Sequence, residues 1–326
     1  MKEVKDTNLV QKLYEKVISG ENITKEEALS LVDCDYKVLK EYANKIREMF
    51  CSNNFDMCAI INAKSGKCSE DCKFCAQSHC YNTNITEYPL ISKEKIVKEA
   101  IYNASKGVLR FSIVVSGKRL SDAEVDTLVD IIKEIKAKTN ISVCASLGLL
   151  SHENFLKLKE AGLTRIHNNL ETSSSYFKNI CTTHTFRDKV NALKAALDEG
   201  LEVCSGGIIG LGESMADRID MAFSLRELNV SSVPINVLNP IKGTPFENNK
   251  HLTHEEVIKT CSIFRFILPK SYIRLAGGRK LLKEGGKEAF TSGANATITG
   301  DMLTTAGLTI DSDMKTMKEL GYSLCK

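Results

Sequence analysis

The sequence predicts an α/β protein, a (β/α)8 TIM-type barrel with an N-terminal helical extension. Two observations carry that prediction. Eight short apolar runs, rich in β-branched residues, recur at 57–62, 109–115, 141–147, 164–169, 201–209, 232–237, 271–276 and 290–297. Amphipathic helical stretches lie between most of them, among them Lys93–Ser105, Asp122–Lys138, His152–Ala161, Asp188–Glu199 and His254–Ile267. Gly107, Gly162 and Gly200 follow three of these stretches, as helix stops should. Eight strand–helix units in about 270 residues match the count and size of such a barrel. An open doubly wound sheet is the competing architecture, but no Gly-rich dinucleotide fingerprint opens the first unit.

The elements follow in chain order. Leu9, Leu13 and Val17 fall at helical spacing. Thr24 with Glu27 makes a capping box ahead of Ala28 and Leu29, and a third helical segment, 36–49, leads into the main domain. Residues 1–52 are assigned to the helical extension, and residues 53–326 to the barrel with its C-terminal segment.

Composition narrows the function. The 326 residues are 43% hydrophobic and 26% charged, an ordinary globular balance. The net charge of +3 is spread along the chain, and no basic arm or aromatic–basic stripe points to nucleic acid. No apolar run approaches the length of a membrane span. The charged start, residues 1–7, lacks the apolar core of a signal peptide, so a cytoplasmic protein is expected. Twelve cysteines in such a chain point to metal or redox chemistry rather than disulfides. Cys34, Cys51, Cys58, Cys261 and Cys325 stand singly and read as small buried hydrophobes.

The strongest motif is Cys68-x3-Cys72-x2-Cys75, with Phe74 before the last cysteine. It follows the first predicted strand, where a barrel places its active site. Three thiolates so spaced can close round a cubic iron–sulfur cluster and leave its fourth iron open to a small molecule, whereas an electron carrier normally ligates all four. The competing reading is a zinc site completed by His79 or Cys80, but structural zinc ligands usually come as two separated pairs.

Barrel lumens are normally filled by Val, Ile and Leu. Five predicted strands instead carry Ser112, Cys144, Cys204, Asn236 and Arg274 at mid-strand. Side chains alternate along a strand, so each can face opposite to its apolar neighbours. A buried arginine needs an anionic or acceptor partner, and buried thiolates need a metal.

Cys68, Cys72, Phe74 and Cys75 match the radical S-adenosylmethionine (SAM) signature. Further stretches (Lys67–Ser78, His167–Thr172, Ile180–Phe186, Cys204–Glu213, Val233–Asn236, Lys242–Pro245, Ser271–Arg279 and Gly293–Thr305) resemble the biotin synthase family within that superfamily, over about residues 55–322. The resemblance implies a [4Fe-4S] cluster on Cys68, Cys72 and Cys75 whose open iron binds SAM. One electron then releases a 5′-deoxyadenosyl radical, which abstracts hydrogen from dethiobiotin so that sulfur is inserted to give biotin.

It also implies an auxiliary iron–sulfur cluster, [2Fe-2S] in the family, as sulfur donor, with ligand positions at Ser112, Cys144, Cys204 and Arg274. Ser112 departs from the family, which usually has cysteine there. Three readings stay open: Ser112 ligates as an alkoxide, Cys80 or Cys181 substitutes for it, or the auxiliary cluster is of another type.

By the same resemblance Asn169, Glu171 and Lys189 contact SAM, and Asn169 and Asn236 contact the substrate, Asn236 facing its ureido ring. Glu171 stands where the family usually has Asp, and Lys189 where it commonly has Arg. The Gly206–Glu213 run looks superficially like a nucleotide loop but lacks the early βαβ context, so it reads as small residues that let a ligand approach. A flavodoxin or ferredoxin reductant and a homodimer are implied too. The rival readings are a hydrogenase-maturation type of radical SAM barrel, an iron–sulfur carrier without catalysis, and a plain zinc-binding barrel.

Overall fold

Strands and helices alternate from Asn54 onward in the computed structural model, which describes residues 2–324. Cys325 lies outside them. The strands are β1 (Asn54–Lys64), β2 (Arg110–Val115), β3 (Ser142–Ser146), β4 (Leu163–His167), β5 (Glu202–Cys204), β6 (Gly207–Ile209), β7 (Ser232–Val237), β8 (Tyr272–Leu275) and β9 (Ala296–Thr299). Pairing is parallel and follows chain order except between β5 and β6, and β9 returns to β1 through Asp56↔Ala296 and Cys58↔Ile298. The sheet is therefore a closed barrel of eight positions. β5 and β6 share one of them, both pairing with β7. A short β10 (Ser323–Leu324) adds to the start of β1.

The break between β5 and β6 is set by Gly206, where a Cβ would lie 1.9 Å from the Pro234 carbonyl oxygen. The backbones approach too closely for any side chain.

The helices are α1 (Lys2–Ile18), α2 (Lys25–Ser30), α3 (Tyr36–Cys51), α4 (Lys93–Ser105), α5 (Asp122–Lys138), α6 (His152–Glu160), α7 (Phe186–Asp198), α8 (Met215–Glu227), α9 (His254–Ile267) and α10 (Ile310–Glu319). Sequence fixes their starts. Thr24/Glu27, Ser121/Glu124, Thr185/Asp188, Ser214/Asp217 and Thr253/Glu256 all form reciprocal capping boxes. Gly107, Gly162 and Gly200 take φ of 79°, 105° and 73°, the left-handed conformation that ends a helix. The three N-terminal helices lie outside the barrel, with α3 against α1 and α9. The α9 helix is consequently buried on nearly every side from Val257 to Ile267. No helix among the described residues is long and apolar enough to cross a membrane.

Two strands differ from expectation: the run at 201–209 is split into β5 and β6, and the last strand starts late. The run at 290–297 begins as 3₁₀ turns spanning Lys283–Thr291, and the strand covers Ala296–Thr299. Gly285 and Gly286 take φ of 61° and 80°, which curls the chain. Phe290 is buried edge-on against Phe55, with ring centroids 5.2 Å apart, so its apolar character serves a turn. Turns also replace a helix after β8.

Strand alternation sorts the side chains. Phe111, Ile113, Val143, Ala145, Val203, Ile235, Ile273 and Leu275 join the apolar core against the helices. Their neighbours Ser112, Cys144, Cys204, Asn236 and Arg274 face the lumen.

Candidate active site

Past β1 the chain turns through Gly66 and Lys67, both in the left-handed region (φ 78° and 52°), into the cysteine loop. That loop is clamped from both sides. Cys68 N–H donates to the Gln77 carbonyl at 3.1 Å, and Ser78 Oγ donates to the Glu70 carbonyl at 2.6 Å. Across the barrel mouth, Lys73 N–H donates to the Ile180 carbonyl at 2.9 Å, while the Asp71 carboxylate accepts Thr182 N–H at 2.8 Å. Burial disfavours the charged Asp71, but the hydrogen bonds from Thr182 outweigh it and hold the carboxyl well below its usual range. Phe74 and Cys72 pack on Phe177, Ile180, Leu211 and Leu238 beneath the loop.

The thiols of Cys68, Cys72 and Cys75 open into one cavity of about 400 Å³ that runs down the lumen. Phe74, Asn169, Glu171, Lys189 and Asn236 line it, and so do Ser112, Cys144, Cys204 and Arg274 further in. The cysteine triplet, the four auxiliary-ligand positions and the expected SAM and substrate contacts thus border the same space.

The mouth is polar and only partly satisfied. Lys189 Nζ donates to Asn168 Oδ1 at 3.0 Å. Asn169 Oδ1 accepts Gly206 N–H at 3.1 Å. Asn236 spans two strands, donating to the Gly207 carbonyl at 3.1 Å and accepting Gly277 N–H at 2.9 Å. Its amide keeps one N–H and one lone pair for a guest. Glu171 holds a left-handed backbone (φ 70°), pinned by the Gly206 carbonyl at 3.1 Å and the Ile208 N–H at 2.9 Å. Such strain persists only where the surroundings over-determine it, and it clusters at ligand sites. Burial raises the Glu171 carboxyl above its ordinary value against the pull of Lys189 and His167. Asn168 Nδ2 and Glu171 Oε2 are buried with no partner, so the cavity is shaped for a polar guest.

Deeper in, Arg274 is fully committed. It donates to Asp56 Oδ1 at 2.5 Å, the Asp56 carbonyl at 3.2 Å and the Thr297 carbonyl at 2.6 Å, with Ser232 Oγ at 3.4 Å. His167 lies 3.5 Å from Cys204 Sγ. Burial opposes the Cys204 thiolate, but His167, Arg274 and Arg165 outweigh it and bring the thiol to about 6.

Sequence reasoning passed over Asp56, Arg165 and His167, whose partners appear only when the strands are in register. It also read Cys58 as a packing residue. Cys34 and Cys261 do belong to the apolar core, whereas Cys58 is buried on the lumen side and lines the cavity.

Two other cysteines lie elsewhere. Cys80 is exposed, as is His79, whose Nδ1 sits 2.8 Å from the Cys68 carbonyl. Cys181 Sγ is 3.8 Å from Cys72 Sγ and 3.3 Å from His184 Nδ1, and His184 in turn meets Glu70 at 2.5 Å. Their shared hydrogen bond pushes the Cys72 thiol up and, with His184, draws Cys181 down to about 4. Among the described residues, Cys72, Cys181 and His184 form the one group of three ligand atoms close enough for a single ion, and neither His79 nor Cys80 joins it.

Residues 63–225 match the Radical SAM superfamily, and residues 234–323 match the Biotin and Thiamin Synthesis associated domain. A biotin synthase from Brachyspira hyodysenteriae is 56% identical over 315 residues, covering 97% of this chain and 95% of that one. Among solved structures, methylornithine synthase superposes with a TM-score of 0.84 at 20% identity, covering 96% of this chain and 97% of that one. A maturase of the FeFe-hydrogenase does so with a TM-score of 0.84 at 18% identity, covering 98% and 76%. These two likenesses show the fold alone. Barrel, cysteine loop and superfamily match together define a radical SAM enzyme. The chain belongs to the biotin synthase family.

Proposed function

We propose that the chain converts dethiobiotin to biotin by radical sulfur insertion, the last step of biotin biosynthesis. The observation that carries this reading is the single cavity with a three-cysteine loop at its mouth and a second thiol set on its lumen strands. When bound there, a [4Fe-4S] cluster with SAM supplies a 5′-deoxyadenosyl radical, and an auxiliary iron–sulfur cluster, [2Fe-2S] by family resemblance, supplies sulfur.

The chain's own residues hold and orient. Cys68, Cys72 and Cys75 anchor the cluster at the mouth, and Phe74 walls it from the loop side. Lys189 meets the SAM carboxylate, while Glu171 and Asn169 accept and donate to its polar edge. Asn236 offers its remaining N–H and lone pair to the ureido ring. Cys144, Cys204 and Arg274 border the auxiliary position. Closing this chemistry inside a barrel keeps a reactive radical from water. A flavodoxin or ferredoxin reductant, a homodimeric assembly and a cytoplasmic setting belong to the same proposal.

The test is anaerobic reconstitution with iron and sulfide, followed by SAM, dithionite and dethiobiotin, with biotin and deoxyadenosine quantified. Biotin formation that disappears in Cys72→Ala is expected. Deoxyadenosine without biotin, from a fully loaded enzyme, would leave the radical SAM class standing and remove dethiobiotin as substrate.

A further inference from the structure

The lumen wall carries a serine, Ser112, beside the thiols of Cys144 and Cys204, and β1 adds a further thiol to the same wall. Ser112 on β2 lies opposite Cys144 on β3 and Ile60 on β1. Two residues before Ile60, on the same face of β1, is Cys58. Its side chain is buried and lines the same cavity wall as Ser112, Cys144 and Cys204. Arg274 lines the same cavity. Three thiols, from β1, β3 and β5, therefore gather round one stretch of lumen beside that arginine.

Chemistry selects among the neighbours. Iron in a sulfide cluster favours soft thiolates, and a serine hydroxyl is both harder and far less acidic. The other spare cysteines are badly placed: Cys80 is exposed and off the cavity wall, and Cys181 sits against Cys72 at the mouth. We infer that Cys58, in place of Ser112, joins Cys144 and Cys204 as the third thiolate ligand of the auxiliary iron–sulfur cluster. The inference rests on the auxiliary cluster of the proposed function.

The test uses the full chain, reconstituted anaerobically, and reads iron and sulfide per chain together with the Mössbauer spectrum. Cys144→Ala sets the loss that defines the auxiliary cluster. Cys58→Ser is expected to lose the same share of iron, while Ser112→Ala retains it and keeps the wild-type spectrum. Cys58→Ser combined with Ser112→Cys separates a ligand from a packing residue: restoration of the iron identifies the thiol itself as what was missing. Iron retained with an unchanged spectrum in Cys58→Ser, or lost in Ser112→Ala, overturns the inference. Failure of the double variant to restore the iron overturns it as well. A Cys144→Ala chain carrying as much iron as the wild type would remove the auxiliary cluster altogether, a distinguishable failure of the underlying reading.

Discussion

Asp56 sits where three arginines converge on the lumen. Its Oδ1 accepts Arg274 at 2.5 Å, and its Oδ2 accepts Arg110 Nε at 2.7 Å with Arg165 at 3.9 Å. Burial alone would raise this carboxyl, but the arginines overcome it and hold the group far below its ordinary value. Removing the carboxylate strands buried cations, so Asp56→Asn is expected to cost about 3–5 kcal/mol in urea unfolding of the cluster-free protein. The sign of the pH dependence follows. Asp56 has a depressed folded pKa, so its contribution is fully present above about pH 4, the unfolded value, and is lost as pH falls through the folded one. The deficit of the variant should be constant from pH 8 to 5; one that shrinks within that window contradicts the assignment. Cys204 titrates higher, at about 6. Its alkylation by iodoacetamide in cluster-free protein should fall about tenfold per unit below that pH, and His167→Phe should move the break upward. None of this was legible in the sequence. A lone Asp, His or Cys in a strand acquires meaning only from what the neighbouring strands bring beside it, which is why Cys58 read as packing.

Elements were far more legible than contacts. Helices α4, α5 and α9 begin and end where periodicity places them, because a helical repeat is a local pattern of residues three and four apart. Strand positions were legible for the same reason, as apolar runs between those helices. The split of the fifth barrel position into β5 and β6 was not, since it depends on how closely Gly206 meets Pro234, a residue of the next strand. Neither was the start of β9, where left-handed glycines turned an apolar run into 3₁₀ turns. Gly206 gives the prediction at this scale. Its N–H and carbonyl position Asn169 and Glu171 at 3.1 Å each. Gly206→Ala forces β5–β6 away from β7, at a cost of about 1–3 kcal/mol of overpacking. A fall in Tm of several degrees is expected, with SAM affinity weakened in parallel by the displaced mouth. An alanine variant with wild-type SAM binding would detach that strand break from the site.

Across the whole molecule, the cavity takes side chains from strands on every side of the barrel, from Cys58 on β1 through Cys144, Cys204 and Asn236 to Arg274 on β8 and Ile298 on β9. The β1–β9 pairing that closes the sheet therefore also closes the site. A ligand held by so many strands binds the native barrel and has nothing comparable in the unfolded chain. It must stabilise the fold by mass action, by about 2.7 kcal/mol at a hundred times its Kd. For a chain of this size that corresponds to a rise in Tm on the order of 5 °C. The prediction concerns which protein shows it. In the proposed function SAM reaches its full affinity through the open iron of a cluster held by Cys68, Cys72 and Cys75, so the cluster-loaded enzyme should show the shift in an anaerobic melt. Cys72→Ala, which breaks the cluster site while leaving Lys189, Glu171 and Asn169 in place, should lose most of it. A shift of equal size in the variant would mean that the polar mouth alone binds SAM, and would separate cofactor binding from the cysteine loop.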